Sequence, residues 1–175
     1  GARGACEPVA WGVMVHPSRS FGSVSVAMVT PMHPDGSIDI ASARRLATHL
    51  VDSGCDALVL NGTTGESPTT HTPEKDALIS AVAEEVGDRA MIIAGAGSND
   101  TAHAVRIAEA AHRAGAHGLL VVSPYYNRPS QEGLARHFEA VAEAVQLPVV
   151  LYNVPGRTGV DLANETVARL AAHPN

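Results

Sequence analysis

The chain has 175 residues, which is enough for one domain with a substantial core. Its formal net charge of −6 and the lack of a basic stripe argue against nucleic acid as a partner. No apolar run approaches the ~18 residues that a membrane-spanning helix needs. Hydrophobic residues make up 45% of the chain and aromatic residues only 3%, so we expect small aliphatic side chains in the core, as in helices packed on a parallel sheet.

The beginning of the chain does not share the pattern of the rest. Residues 1–20 are predicted to be a leader or a disordered N-terminal arm, and residues 21–175 to form one domain. The two cysteines, Cys6 and Cys55, are far apart, and Cys55 falls in an apolar run. Neither a disulfide framework nor a metal site is therefore expected, and the histidines have no ligand-like spacing.

From Ser23 onward, strand-like apolar runs alternate with amphipathic runs. The predicted strands are 24–30, 57–60, 90–94, 118–123 and 148–153. The predicted helices are about 39–53, 73–87, 100–114, 131–145 and 163–172.

Residues at the ends of these runs are typical of helix caps and stops. Thr72 is predicted to cap the second helix, with a proline and a glutamate after it. Asn99 or Asp100 is expected to cap the third helix. Gly54 and Gly115 fit the ends of the first and third helices.

A βα unit repeated five times predicts parallel strands with right-handed crossovers. Two architectures fit, an open doubly wound sheet or part of an eight-stranded (β/α) barrel. The barrel is favoured because the segments after the strands are rich in polar residues and glycine, and a barrel gathers such loops on one face. The GxGxxG fingerprint of a dinucleotide fold is absent after the first strand.

Three of these post-strand segments carry reactive groups. The first is Asn-Gly-Thr-Thr-Gly-Glu-Ser at 61–67, the second contains two adjacent tyrosines at 125–126, and the third runs from Tyr152 to Gly159 and includes Arg157. Each could be an ordinary polar loop or a packing feature by itself. Together they place hydroxyls that can pass protons beside an arginine that can hold a carboxylate. A carboxylated small molecule that undergoes proton transfer is the substrate this pattern suggests.

These three segments, in this order, resemble the dihydrodipicolinate synthase family of pyruvate-dependent class I aldolases. The similarity runs from about Phe21 to Asn175. The threonine pair at 63–64, the run 125–134 and Arg157 favour this branch over relatives such as N-acetylneuraminate lyase. The resemblance implies a (β/α)8 TIM barrel, of which about the first five βα units are present here.

The resemblance also implies the reaction. Pyruvate would form a Schiff base with an enzyme lysine and condense with L-aspartate 4-semialdehyde, giving 4-hydroxy-tetrahydrodipicolinate for lysine and diaminopimelate biosynthesis. Such an enzyme is a lyase, works in the cytoplasm as a homodimer or homotetramer, and needs no metal or organic cofactor.

Catalytic roles follow from the matching positions. Tyr152 would be the principal proton donor and acceptor, and Thr63 would link it to Tyr126 in a proton relay. In the family the tyrosine at the position of Tyr126 reaches in from a neighbouring subunit. Thr64, with the backbone amide of Gly65, would hold the pyruvate carboxylate.

Two further positions belong to the predicted site and its regulation. Arg157 would hold the carboxylate of the semialdehyde. Ser67, Asn99 and Tyr125 fit a lysine-binding regulatory site of the family. Thr72 and His103, however, stand where lysine-sensitive relatives often carry histidine and glutamate. We therefore expect weak or absent feedback by lysine.

The amine that the reaction requires is expected beyond residue 175, since the Schiff-base lysine of the family lies on the sixth strand. The only lysine in this chain is Lys75, which is predicted to be a solvated surface charge. The 175-residue chain alone is therefore expected to be inactive. Another pyruvate-type aldolase, or a non-catalytic paralogue that binds a keto acid or a partner, stays open.

Overall fold

The computed structural model describes residues 21–175, so the predicted leader or arm at 1–20 lies outside the described residues. Five strands are present, and they are β1 Ser25–Ala27, β2 Ala57–Leu60, β3 Met91–Gly95, β4 Gly118–Val122 and β5 Val149–Tyr152. Six helices accompany them, and they are α1 Ile40–Asp52, α2 Thr72–Val86, α3 Thr101–Arg113, α4 Gln131–Glu143, α5 Pro155–Thr158 and α6 Asn164–Leu170.

The strands form one parallel sheet whose order follows the chain, β1-β2-β3-β4-β5. Each crossover advances in the same direction, and right-handed crossovers then place every helix on the same face of the sheet. An open doubly wound sheet reverses its strand order at a switch point, and none of the described strands does so. The arrangement is that of an arc of a (β/α) barrel.

The core lies between the sheet and this layer of helices. Successive strand residues point to opposite faces, so Leu58 and Leu60 of β2 meet the helices and are at most 1% exposed. They pack in one cluster with Leu78, Val82 and Phe138 from α2 and α4. Cutting Phe138 back to alanine would remove the largest fully buried side chain of residues 21–175, a change that costs about 3–5 kcal/mol in typical cores.

The start of α3 agrees with the prediction from the sequence, but the start of α2 does not. The Asp100 carboxylate accepts the N–H of His103 at 3.3 Å, so Asp100 is the cap of α3. The prediction that Thr72 caps α2 was wrong, because Thr72 is the first helical residue. The Glu74 carboxylate reaches back and accepts the N–H of His71 at 2.8 Å, which fixes the helix start one residue earlier.

Helices α1 and α3 end just before Gly54 and Gly115, as predicted. Gly54 and Gly115 have φ of 104° and 101°, a left-handed conformation that is strained for any residue with a β-carbon. These turns send the chain from the helix layer back into β2 and β4.

Two short elements in the post-strand loops were not predicted. One is a single 3₁₀ turn at Ser67–Thr69, and the other is the one-turn helix α5. Strand β1 is shorter than the predicted 24–30, although the N–H of Met28 still donates to the carbonyl of Val59 at 3.0 Å. Among residues 21–175, no helix combines the length and apolar character needed to cross a membrane.

Candidate active site

The predicted site loops meet at the carboxyl edge of the sheet and surround a cavity of about 430 Å³. Parallel strands bring their carboxyl ends to one edge, so the loops after β2, β3, β4 and β5 can all reach it. The polar side chains that line the cavity are Thr63, Ser67, Thr70, Lys75, Ser98, His103, Tyr125, Tyr152, Arg157 and Thr158.

The loop after β2 is a tight arch that begins at Asn61. This residue is 2% exposed and has φ of 55°, a conformation that Asn tolerates better than most residues. Its amide Nδ2 donates to the carbonyl of Lys75 at 3.4 Å, which ties the loop to α2. The carbonyl of Gly62 accepts the N–H groups of Gly65 at 3.1 Å and Ser67 at 3.2 Å, so the arch closes on itself.

Both neighbouring strands hold this arch in place. The hydroxyl of Thr30, after β1, donates to the carbonyl of Gly65 at 2.7 Å. On the other side, Gly95 at the end of β3 lies so close that a β-carbon there would stand 2.1 Å from the carbonyl oxygen of Asn61. The arch therefore fits only against a residue without a side chain at position 95.

The arch carries the two predicted threonines, which differ in their placement. Both threonines are exposed, and Thr63 lines the cavity whereas Thr64 is not part of the lining. Neither hydroxyl makes a hydrogen bond to another residue in the described part of the chain. Gly65 is buried beneath them.

Tyr152 ends β5 and is half-buried in the cavity wall. Its carbonyl accepts the N–H of Ser123 at 3.1 Å, which continues the ladder between β4 and β5. The Ser123 hydroxyl is fully buried and has no partner among the described residues, as is also true of Asn61 Oδ1. An unsatisfied buried polar group costs about 1–3 kcal/mol, and such groups in native structures call for a functional or structural reason. Ser123 carried no distinguishing signal in the sequence.

The side chains of the two adjacent tyrosines, Tyr125 and Tyr126, lie in different environments. Tyr125 lines the cavity, but Tyr126 is 90% exposed and does not. Tyr126 has φ of 74°, unusual for an aromatic residue, and its N–H donates to the carbonyl of Thr158 at 3.4 Å. Within residues 21–175, no hydrogen bond joins the hydroxyls of Thr63, Tyr126 and Tyr152.

Arg157 enters the cavity wall from α5. This single turn is closed by Gly159 with φ of 73°, and the buried Thr158 hydroxyl donates to the carbonyl of Val160 at 2.8 Å. The guanidinium of Arg157 forms no ion pair with a carboxylate in the described part of the chain. It is therefore available to an anionic ligand.

The prediction that Lys75 is a solvated surface charge was wrong. Lys75 is half-buried and lines the cavity, and burial lowers the pKa of its amine, although the charges of Asp76 and Glu74 act to raise it. The reason is geometric: α2 begins at the carboxyl edge of the sheet, so its first turn faces the loops. The position of Lys75 in the first turn after the 61–71 loop was the available signal.

The arrangement combines cationic side chains with hydroxyls. In the part of the chain that the structure describes, no aspartate or glutamate belongs to the cavity lining. Within residues 21–175, no group of three His, Cys, Asp or Glu side chains is arranged to hold a metal ion. The cavity is therefore suited to binding a carboxylate and to exchanging protons with it through threonine and tyrosine hydroxyls.

The comparisons with known proteins agree on one family. The model of the dihydrodipicolinate synthetase family matches residues 20–175. The 4-hydroxy-tetrahydrodipicolinate synthase 2 of Streptomyces coelicolor is 58% identical over 158 residues, covering 90% of this chain and 53% of that protein. The chain thus spans about half the length of the curated relatives it matches.

Solved structures agree with the sequence comparison. A dihydrodipicolinate synthase from Bacillus anthracis superposes with a TM-score of 0.86 at 46% identity, covering 89% of this chain and 53% of that one. A chloride-inhibited dihydrodipicolinate synthase from Acinetobacter baumannii, complexed with pyruvate, gives a TM-score of 0.84 at 47% identity, with 87% and 52% covered. These neighbours are TIM barrels, which confirms the predicted fold class. With its family match, its sheet order and its carboxyl-edge cavity, this chain belongs to the dihydrodipicolinate synthetase family.

Proposed function

We propose that the full-length protein carrying this chain condenses pyruvate with L-aspartate 4-semialdehyde to give 4-hydroxy-tetrahydrodipicolinate. The observation that carries the proposal is the convergence of Thr63 from the first of the three post-strand segments, and of Tyr152 and Arg157 from the third, on one cavity. The names of the relatives and the pyruvate in the Acinetobacter structure support this choice of substrates.

The reaction begins when a lysine amine attacks the ketone carbon of pyruvate and water leaves, forming an imine. Loss of a methyl proton converts the imine to an enamine, whose carbon attacks the aldehyde carbon of the semialdehyde. The new alkoxide takes up a proton and becomes the hydroxyl group. The amino group of the semialdehyde then attacks the imine carbon and displaces the lysine amine, which closes the ring and releases the product. Each step moves a proton, so an active site with several hydroxyl groups suits this chemistry.

The proposed proton carriers are Tyr152, Thr63 and Tyr126. Tyr152 and Thr63 face the same cavity, where the tyrosine hydroxyl can give and take the proton at the condensing carbons. Tyr126 is 90% exposed on its own chain, which is consistent with a side chain that completes the relay of a neighbouring subunit. We therefore propose a homodimer as the minimum active unit, within a homodimer or homotetramer in the cytoplasm.

The proposed carboxylate sites are Thr64 with the backbone of Gly65 for pyruvate, and Arg157 for the semialdehyde. The hydroxyl of Thr64 makes no hydrogen bond to the described residues. Arg157 can present two parallel N–H donors to a carboxylate. No metal or organic cofactor takes part in the proposal.

The Schiff-base amine in this proposal belongs to a lysine beyond residue 175. Lys75 lines the cavity but projects from a helix of the outer layer rather than from a strand end. We accordingly propose that the 175-residue chain by itself does not turn over.

Turnover assays on the full-length protein test the proposal. Pyruvate with aspartate semialdehyde should give product, whereas N-acetylneuraminate and keto-deoxy sugar acids should not be cleaved. An Arg157→Leu variant should show a raised KM for the semialdehyde with little change for pyruvate, and Arg113→Leu, an exposed arginine outside the cavity, serves as the control. Preferential turnover of a sugar acid would assign the protein to another aldolase, and binding of a keto acid without turnover would indicate a non-catalytic paralogue.

A further inference from the structure

The loop 153–162 carries Arg157 and is closed by hydrogen bonds at its base. It begins at Asn153, directly after Tyr152 at the end of β5. The Asn153 side chain spans the base, since its Nδ2 donates to the Asp161 carboxylate at 2.6 Å and its Oδ1 accepts the N–H of Leu162 at 3.3 Å. Arg157 lies in the single turn between these ends and lines the cavity. The position of its guanidinium therefore depends on where the base of the loop is held.

A side chain from α4 holds that base. Gln131 is the first residue of α4, and its Nε2 donates to the carbonyl of Asp161 at 2.8 Å. Its Oε1 accepts the N–H of Ala163 at 3.0 Å and the buried hydroxyl of Thr166 at 2.7 Å. The amide thus donates one hydrogen bond and accepts two, and a flipped amide could make none of them. Gln131 therefore fixes the loop base against α4 in one orientation.

The segment before Gln131 touches the same loop at two more points. The N–H of Tyr126 donates to the carbonyl of Thr158 at 3.4 Å, and a β-carbon on Gly159 would stand 3.1 Å from Nε of Arg128. The first bond is long for an N–H donor, and Arg128 is exposed. Gln131 is therefore the best-defined attachment between this segment and the loop.

Gln131 lies outside the cavity lining, so its influence on a substrate has to pass through the loop. A two-pronged contact between Arg157 and a carboxylate depends on the orientation of the guanidinium. Misplacement of such a group by about 1 Å can cost about 100-fold in rate. A side chain that fixes the base of the loop is thus able to decide how well Arg157 meets its ligand.

We propose that Gln131 is a positioning residue for the condensation, because it holds the loop 153–162 where Arg157 faces the carboxylate of the semialdehyde. The inference rests on the proposed function, in which Arg157 has that role. The proposed pyruvate carboxylate site, at Thr64 and Gly65, lies on the separate loop after β2. Loss of Gln131 should therefore affect the semialdehyde and spare pyruvate.

Steady-state kinetics and amide hydrogen exchange of the full-length protein test this proposal together. Gln131→Met keeps the length of the side chain and removes all three hydrogen bonds. Gln131→Glu keeps an acceptor for Ala163 and Thr166 but turns an oxygen toward the Asp161 carbonyl, where a donor is needed. Gln146→Met is the matched control, because Gln146 is exposed and its side chain makes no hydrogen bond within residues 21–175.

We expect Gln131→Met to raise the KM for the semialdehyde by about tenfold, which is the scale of one or two lost hydrogen bonds. The KM for pyruvate and the yield of borohydride-trapped pyruvate adduct should stay within about twofold of the wild type. Gln131→Glu should lie between the two, and Gln146→Met should match the wild type. Exchange in the peptide covering 153–163 should become faster in Gln131→Met, with no change in α2.

An unchanged KM for the semialdehyde in Gln131→Met would overturn the proposal. An equal loss for pyruvate would also overturn it, because it would indicate a general effect on folding. Exchange is measured without substrate, so it separates this inference from the proposed function. If the wild type does not turn over the semialdehyde, the proposed function fails; faster exchange in Gln131→Met would then still support the hold of Gln131 on the loop, and unchanged exchange would reject it.

Discussion

Replacing Gly95 with alanine should disturb the candidate active site from a distance, because the contact it breaks positions the arch of residues 61–67. The new β-carbon would stand 2.1 Å from the Asn61 carbonyl oxygen, 2.8 Å from its carbonyl carbon and 3.3 Å from the nitrogen of Gly62. Ordinary van der Waals contact begins near 3.4 Å, so the oxygen would have to retreat by about 1.3 Å. All the clashing atoms are backbone, so no side chain can rotate away.

The expected cost has two parts. Overpacking of this kind costs about 1–3 kcal/mol, of which up to about 1 kcal/mol is offset because alanine restricts the unfolded chain more than glycine does. The effect on activity should be larger. Displacing the peptide between Asn61 and Gly62 by about 1 Å shifts the arch that carries Thr63 and is expected to reduce kcat by about 100-fold, as misplacement of a catalytic group by that distance can do.

The assay is chemical denaturation combined with turnover of pyruvate and the semialdehyde by the full-length protein. Gly156→Ala is the matched control, because a β-carbon at that position of α5 would meet nothing within 4 Å. Its stability should change by less than about 0.5 kcal/mol or rise slightly. A Gly95→Ala variant with wild-type stability and turnover would refute the close approach of β3 to the arch.

Three further expectations follow from single side chains. Tyr152→Phe, which keeps the ring and removes the hydroxyl, should lower kcat by about 10²–10⁴-fold with little change in stability, and an unchanged kcat would remove Tyr152 from the relay. His137, 3% exposed with its Nε2 unpartnered among the described residues, has its pKa lowered by burial, so the unfolded state binds more protons. The free energy of unfolding should therefore fall as pH drops through about 6.5, and His137→Gln should reduce that dependence in denaturation curves; an identical pH dependence in both proteins would contradict this. Added lysine should inhibit weakly or not at all, because the Lys75 ammonium lines the cavity beside Ser67 and Tyr125, and half-inhibition below millimolar lysine would disprove it.

Much of the fold was predictable because each element is encoded locally. The apolar run at 57–60 matches β2 without error, and helix boundaries elsewhere differ from the prediction by one to two residues. Alternating strands and helices left two sheet topologies open, and loop composition favoured the correct one. What local sequence could not supply was the order of strands in space, which depends on how the crossovers pack.

The part of the candidate site that lies at the ends of strands was predictable from the sequence. Thr63, Tyr152 and Arg157 share a cavity because each lies at or shortly after the carboxyl end of a parallel strand. The inward position of Lys75 was missed, since charge and helical position alone favour solvent. The left-handed backbone of Tyr126 was also unpredictable, because it depends on the contact with the loop that holds Thr158.

The hydroxyl of Ser123 and the amide oxygen of Asn61 are buried without a partner among the described residues. They follow β4 and β2 and so lie at the carboxyl edge of the sheet. Buried polar atoms without partners are expected where substrate or a proton path completes the network. The arch is held at the cavity by its own hydrogen bonds, by the Thr30 hydroxyl and by the close approach of Gly95. Such a support is what a condensation that depends on placement requires.

Trapping of the covalent intermediate tests the central claim most directly. The full-length protein is incubated with pyruvate, reduced with borohydride and analysed by intact and peptide mass spectrometry. We predict one reduced pyruvate adduct per chain, on a lysine beyond residue 175, and an unmodified peptide containing Lys75. The 175-residue chain treated in the same way should gain no adduct. Absence of an adduct on the full-length protein, or a stoichiometric adduct on Lys75, would contradict the account.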